Sequence, residues 1–296
     1  MRVLVTGANG QLGREIRRVS TGSVHEYVFV SSKPDGDAVV LDVKDPVAIR
    51  EFATRGNFDV IVNCAAYTDV EGAENDYNTA QLLNNRLPAV LASVAKSSGA
   101  LLMHFSTDYI FKGDENVPYK ETSTTSPNGV YATTKLMGEK QVQLSGCNYM
   151  IFRTSWMHSP HGNNFVKTMR RLTKERPSLK VVYDQIGTPT FARDLAQVVC
   201  MIIEKNLTDK VGIYNYSNEG VCSWYDFACE ICNMSMTMCD IQPCLSHEYP
   251  TKVRRPHYSV LDKSKIKDTF GIEIPNWRDS LAKCIAELEA LENVEA

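Results

Sequence analysis

The first thirteen residues restrict the fold more than any other stretch. Arg2-Val3-Leu4-Val5-Thr6 is a short, mostly apolar run of the kind that a buried parallel strand uses. Gly7-Ala8-Asn9-Gly10-Gln11-Leu12-Gly13 follows at once, and apolar residues then recur with a helical period at Leu12, Ile16 and Val19. A strand, a glycine turn and a helix start, in that order, are the context in which such glycines cradle a dinucleotide pyrophosphate. Gly7 permits the tight turn, Gly10 lets the backbone approach the phosphates, and Gly13 lets helix and strand pack closely. The helix N-terminus adds amide donors and a positive dipole end for the phosphates. The spacing is G-x-x-G-x-x-G rather than G-x-G-x-x-G. A glycine-rich turn without a ligand is the alternative.

The same alternation continues along the chain. Tyr27–Val30 reads as a second strand and ends in Ser31-Ser32-Lys33. An NAD-selective site usually places an acid there to hold the ribose hydroxyls. Hydroxyls and a lysine suit a 2′-phosphate instead, which favours NADPH over NADH, or use of both. A solvated loop lysine is the ordinary alternative. Asp42 and Val43 close the run that starts at Val39 and would lie near the adenine. Phe58–Asn63 is a further buried strand, and the small residues of Cys64-Ala65-Ala66-Tyr67-Thr68 let the chain pass close to a cofactor. Helices are expected over 75–84 and 88–98, then a strand over 101–105 with Ser106-Thr107-Asp108-Tyr109 at its end. Strands alternating with helices predict a parallel, doubly wound sheet whose ligands lie at the carboxyl ends of the strands. Gly7, Ala65, Thr107 and Tyr131 all fall at or beyond such ends.

Tyr131-Ala132-Thr133-Thr134-Lys135 carries the chemistry. Residues four apart share one face of a helix. An ammonium beside the phenol favours phenolate and pulls down a tyrosine pKa that starts near ~10. A phenol tuned in this way exchanges a proton with a substrate oxygen. Any amphipathic helix can carry Y-x-x-x-K, so the upstream context matters. Thr107 offers a hydroxyl to the same oxygen, although Ser and Thr at a strand end also cap the next turn. Ser106 is its rival, because a one-residue slip on a strand swaps faces.

Composition excludes several classes. A net charge of −3 over 296 residues gives no basic field, which argues against nucleic acid as a partner. No apolar run approaches the ~20 residues of a membrane span, and the short run at Val3–Val5 is not a signal peptide. Nine cysteines in such a chain suggest reduced thiols and a cytoplasmic location. Cys229 and Cys232, followed by Cys239 and Cys244, are spaced tightly for a zinc ribbon and read better as structural thiols. No metal ligand set is assigned.

With these residues in place, the chain resembles the extended short-chain dehydrogenase/reductase superfamily, and within it the dTDP-4-dehydrorhamnose reductases. The resemblance spans nearly the whole length. It rests on Gly7–Gly13, Val60–Thr68, Phe105–Phe111, Val130–Lys135, Ile151–Trp156, Gly162–Phe165, Asp184–Thr190 and Arg254–Pro256. The glycine turn and Y-x-x-x-K are shared across the superfamily. Ser-Thr-Asp-Tyr, Arg-Thr-Ser-Trp and Asp-Gln-x-Gly-x-Pro-Thr are more specific.

The resemblance implies a Rossmann-type doubly wound parallel sheet with a smaller, discontinuous α/β substrate-binding cap. It implies hydride transfer from NADPH or NADH to the 4-keto carbon of a dTDP-4-keto-6-deoxy sugar, with Tyr131 as proton donor. Lys135 would tune the tyrosine and hold the nicotinamide ribose, while Thr107 and Asp108 would contact the sugar. Gly10, Gln11, Leu12, Ser31, Asp42, Val43, Ala65, Ala66 and Thr68 would line the cofactor groove. Trp156, Asn164 and Arg255 would meet the sugar nucleotide. Ser31 stands where some relatives carry an acid. Some relatives also hold Mg²⁺ at an interface, which nothing in this sequence assigns, and a homodimer is left open.

The dinucleotide-binding part is expected over 1–156, with 179–216 returning to it and 157–296 forming mainly the cap. Arg254-Arg255 would grip a diphosphate with forked donors, and the tail over 281–291 is an amphipathic helix. Two other readings share these residues. One is an epimerase or dehydratase that regenerates its nicotinamide, with Asp108 as the extra acid. The other is a non-catalytic, reductase-like regulatory subunit of methionine adenosyltransferase, which the presence of Tyr131, Lys135 and Thr107 disfavours.

Overall fold

Runs that are apolar on both faces become central strands. The computed structural model describes residues 1–295 and contains β1 (Arg2–Thr6), β2 (Glu26–Ser31), the short exposed edge strand β3 (Val39–Val40), β4 (Val60–Asn63), β5 (Leu101–Thr107) and β6 (Asn148–Thr154). With Gly212–Asn215 they form one seven-stranded parallel sheet in the order Gly212–Asn215, β6, β5, β4, β1, β2, β3. Val3 and Val5 face one core and Leu4 the other, so β1 is buried from both sides. The chain runs outward from β1 through β3 and then returns to build β4, β5 and β6 on the other side. That reversal opens a crevice at the carboxyl ends of β1 and β4.

The helices are α1 (Gln11–Val19), α2 (Pro46–Arg55), α3 (Val70–Ala73), α4 (Tyr77–Gln81), α5 (Leu87–Ser98), α6 (Gly129–Ser145), α7 (Phe165–Glu175), α8 (Ala192–Glu204), α9 (Trp224–Met234), α10 (Ser264–Phe270) and α11 (Trp277–Glu295). Leu12 and Ile16 of α1 pack with Leu195, Val199 and Ile203 of α8 on one face of the sheet. Ile49 of α2 and Leu91 of α5 cover the other. A separate apolar cluster joins Val166 of α7, Phe227 and Ile231 of α9, and Trp277, Leu281 and Ile285 of α11.

Three expectations change. The segment from 179 does not return to the large sheet. Ser178–Val182 pairs in parallel with Asp240–Cys244 in a two-stranded sheet of its own. It exposes Ser178 and Lys180 while burying Val181, an alternation that a strand buried on both faces could not carry. The return begins at α8. Ile266 and Phe270 of α10, together with Ile274, also join the cofactor-side core rather than the cap.

The helix expected over 75–84 is two pieces, α4 and a π-helical turn, and the short α3 precedes them. The Asp69 side chain caps α3 by accepting from Gly72 N, and Asp76 caps α4 by accepting from Thr79 N. A π-helical turn, Leu82–Arg86, then runs straight into α5. Pro88 has no N–H for the Asn84 carbonyl, so the regular ladder cannot close there. Gly138 of α6 sits against that carbonyl, and a Cβ at 138 would lie 2.0 Å from it.

Candidate active site

A cavity of about 560 Å³ opens at the carboxyl ends of the central strands. One end is the glycine turn at Gly10, Gln11 and Leu12, and the floor is Asn63, Cys64, Ala66 and Thr68. Thr107, Asp108, Tyr131 and Lys135 form the middle, and Trp156, Asn164 and Arg255 close the far end. Gly7, Gly13, Ser31, Asp42, Val43 and Ala65 do not line this cavity. Gly7 and Gly13 shape it from behind. Gly7 has φ +65, and a Cβ there would lie 2.6 Å from Ala65 N; one on Gly13 would lie 2.3 Å from the Gly7 carbonyl. Ala65 is therefore the wall against which the turn rests. The Ser31 hydroxyl turns inward on its own turn, donating to Lys33 O at 2.7 Å and accepting from Lys33 N. Asp42 is exposed and caps Lys44 N.

Tyr131, Lys135 and Glu139 follow one another at four-residue spacing along α6, and the first two reach the same cavity. Lys135 is 3% exposed, and its Nζ donates to the Phe105 carbonyl at 2.5 Å. Burial pulls the ammonium down to about 8, and Glu139 one turn along acts against that fall. The phenol does not behave as expected. Burial lifts the Tyr131 pKa above its usual value, while the Thr107 hydroxyl opposes the rise and the Asp108 and Tyr109 side chains add to it. The ammonium bonds the Phe105 carbonyl, so desolvation outweighs it. The tyrosine remains protonated through neutral pH, which is the state a proton donor requires.

Thr107 also departs from its simple role. Its Oγ1 donates to Asp108 Oδ1 at 3.0 Å and accepts from Tyr109 N. A hydroxyl has one proton to give, so an ionised Asp108 holds it away from a substrate oxygen. Asp108 is 2% exposed, and burial pushes its carboxyl up to about 6, against hydrogen bonding from Ser259 and Thr107. Protonation of Asp108 releases the threonine hydroxyl.

A carboxyl with a folded pKa near 6 and an ordinary value of 3.8 destabilises the fold above pH ~6 and not below ~3.8. That gap corresponds to roughly 3 kcal/mol. Asp108→Asn is therefore expected to raise the thermal midpoint by several degrees at pH 8, with the gain shrinking towards pH 4. Melting curves at both pH values check this, and an equal change at the two would mean the carboxyl is not held against its charge.

Several groups at this site were not identified from sequence. Tyr109 meets Tyr131 edge to face, with ring centroids 6.0 Å apart. Arg255 donates to the Tyr109 hydroxyl at 3.2 Å and to Glu71 Oε1 at 2.8 Å. Trp156 stacks on Trp224 at 3.6 Å, with 11° between the planes. A Cβ on Gly187 would lie 2.7 Å from the Trp156 ring, so glycine is needed beside it. Trp224 opens α9 directly after a capping box of Ser223 and Asp226, a local signal visible in Ser-Trp-Tyr-Asp. Asn84, in the π-helical turn, exchanges two hydrogen bonds with the Tyr67 backbone and donates to Thr134. Asn164 caps α7 and donates to Gln11 Oε1 at 3.0 Å and to Ser159 O at 2.8 Å. Its amide is thus spent joining the glycine turn to α7.

Glu15, His161 and Glu287 approach one another closely enough to hold an ion. Arg193 already pairs with Glu15 at 2.8 and 3.1 Å and with Glu287, which also meets Arg18. Guanidinium groups therefore neutralise this cluster. Cys229, Cys232, Cys239 and Cys244 are free thiols, with Cys232 and Cys244 buried. Among the described residues, no helix is long and apolar enough to cross a membrane.

A doubly wound sheet with its glycine turn, and a Tyr–Lys helix facing the crevice, define an extended short-chain dehydrogenase/reductase. Residues 1–290 match the family described as the RmlD substrate binding domain, and the chain belongs to that family. It is 36% identical to the dTDP-4-dehydrorhamnose reductase of Burkholderia thailandensis, over 97% of this chain and 99% of that one. The structure of a dTDP-4-dehydrorhamnose reductase from Clostridium acetobutylicum superposes with a TM-score of 0.91 at 39% identity, covering 98% and 100% of the two chains. The Bacillus anthracis enzyme of the same name, in complex with NADP, superposes at 0.89 with 34% identity over 97% and 99%.

Proposed function

We propose that this chain reduces the 4-keto group of a dTDP-4-keto-6-deoxy sugar, converting dTDP-4-dehydrorhamnose to dTDP-L-rhamnose. The observation that carries the reading is one cavity joining the glycine turn, a half-buried phenol whose surroundings favour its protonated form, and a paired-tryptophan wall. Full-length relatives named for this reaction support it.

The residues fit a nicotinamide dinucleotide. The turn is cleared of side chains at Gly7 and Gly13, and the Lys135 ammonium has one protein acceptor and two donors to spare. Gly10, Gln11 and Leu12 would hold the pyrophosphate, Ala66 and Thr68 the groove beyond, and Lys135 the ribose. When bound, NADPH or NADH supplies the hydride. The chain supplies the rest. Tyr131 gives its proton to the alkoxide oxygen, Lys135 stabilises the phenolate left behind, and Thr107 donates to the same oxygen once Asp108 is protonated. Trp156 and Arg255 orient the sugar and its diphosphate. A recess of about 310 Å³ beside them, walled by Phe165, Val182 and Trp224, suits the nucleotide base.

Asp108 favours a second reading, because a carboxyl near pKa 6 beside Thr107 is the extra acid a dehydratase or epimerase needs. The deciding assay incubates the protein with dTDP-4-keto-6-deoxy-L-mannose and NADPH and follows the reduced nicotinamide absorbance. One oxidised cofactor per product supports the reductase. Product without net oxidation supports the second reading, and no turnover supports a binding role. We assign residues 1–156, α8 to Asn215 and residues 264–274 to the cofactor part and most of the remainder to the cap. We place the protein in the cytoplasm, and sedimentation tests for a homodimer.

A further inference from the structure

In a doubly wound sheet of this kind the adenosine half of a bound dinucleotide would lie between the glycine turn and the end of β2. Ala8 N donates to Val30 O at 3.0 Å, which ties that turn to the strand end. Arg14 projects into this corner from the first turn of α1. Its Nε donates to Asn9 O at 3.2 Å, inside the glycine turn, and its Nη2 to Asp35 Oδ1 at 3.3 Å, in the loop after β2. The side chain is 41% exposed, and its remaining donors have no protein partner among the described residues. Asp35 is also held by Arg17, through Nη1 to its carbonyl at 3.2 Å and an ion pair at 3.6 Å. The acid of this loop is thus matched by two guanidinium groups, and Asp37 adds a longer contact to Arg17 at 3.8 Å. Ser31, by contrast, spends its proton on its own turn.

We propose that Arg14 is the residue that selects NADPH, by exchanging its bond to Asp35 for the 2′-phosphate of the adenosine ribose. Guanidinium matches phosphate with forked donors, and a hydrogen bond between ionised groups is about twice as strong as a neutral one. Arg17 keeps Asp35 neutralised when Arg14 turns away. Lys33 adds general positive charge but no fixed geometry. This rests on reading the cleft as a nicotinamide dinucleotide site.

Adenosine 2′,5′-bisphosphate and 5′-AMP differ only by the phosphate in question, so calorimetric titration with each isolates it without turnover. The intact protein should bind the bisphosphate more tightly than AMP. Arg14→Gln should weaken the bisphosphate about 10- to 100-fold and leave AMP within about twofold. Lys33→Met should weaken the bisphosphate by less than about threefold at moderate salt. Equal losses for both ligands in Arg14→Gln, no loss for either, or a larger loss in Lys33→Met would overturn the assignment. So would tighter binding of AMP than of the bisphosphate by the unsubstituted protein. If neither that protein nor the variants bind AMP, NADH or NADPH, the cofactor reading of the cleft itself fails.

Discussion

Tyr131→Phe is expected to lower kcat by about 10²- to 10⁴-fold while NADPH affinity changes less than about threefold. The loss falls on the chemical step because the ring remains and only the acidic proton goes. Phenylalanine keeps the edge-to-face contact with Tyr109, so the cavity wall survives. Single-turnover rates at saturating cofactor measure the effect, and a variant within threefold of the parent would remove Tyr131 as proton donor. A pH profile adds to this. Lys135, pulled down to about 8, loses its proton as pH rises through that value. A neutral amine no longer stabilises the phenolate, so kcat/KM should fall above pH about 8, beyond any smaller fall near pH 6 as Asp108 ionises and takes the Thr107 hydroxyl. Lys135→Arg, always charged, should move that limb upward, and an unchanged limb would assign it to another group.

The second large effect is on stability. Arg153 and Glu139 form an ion pair with side-chain exposures of 4% and 0%. Nε lies 3.1 and 3.3 Å from the two carboxylate oxygens, and Nη2 lies 2.9 Å from Oε2. Nη1 reaches the Glu121 carbonyl, and the guanidinium lies over the Phe111 ring. Arg153→Met strands a buried carboxylate, which costs about 3–5 kcal/mol. Urea unfolding should report that loss, and the added substitution Glu139→Leu should recover most of it. A double variant as unstable as the single one would mean packing, not charge, accounts for the loss.

The sequence shows the sheet because its strands are buried on both faces and end in recognisable turns. Val3 to Val5 and Val60 to Val62 cannot be read as anything exposed. The cap boundary is less visible. Ser178–Val182 has the composition of a strand, and only its partner, Asp240–Cys244, decides which sheet it joins. At the site, Tyr131 and Lys135 follow from helical spacing read together with the glycine turn and the strand ends upstream. The direction of each proton does not. Lys135 finding the Phe105 carbonyl, and Thr107 finding Asp108, depend on distances set by three different elements. Trp224 and Tyr109 gain their place only when distant segments close around the crevice.

The wide helical turn at Asn84 has a consequence for how this chain can vary. Pro88 frees a carbonyl, Gly138 lets α6 settle on it, and the Asn84 amide grips both Tyr67 and Thr134. The spacing between the nicotinamide-facing loop and the helix bearing Tyr131 is therefore set by three side-chain identities acting as one. Alanine at 138 alone would wedge the helix off its seat. Drift at positions 84, 88 and 138 should be epistatic, tolerated in concert and costly one at a time.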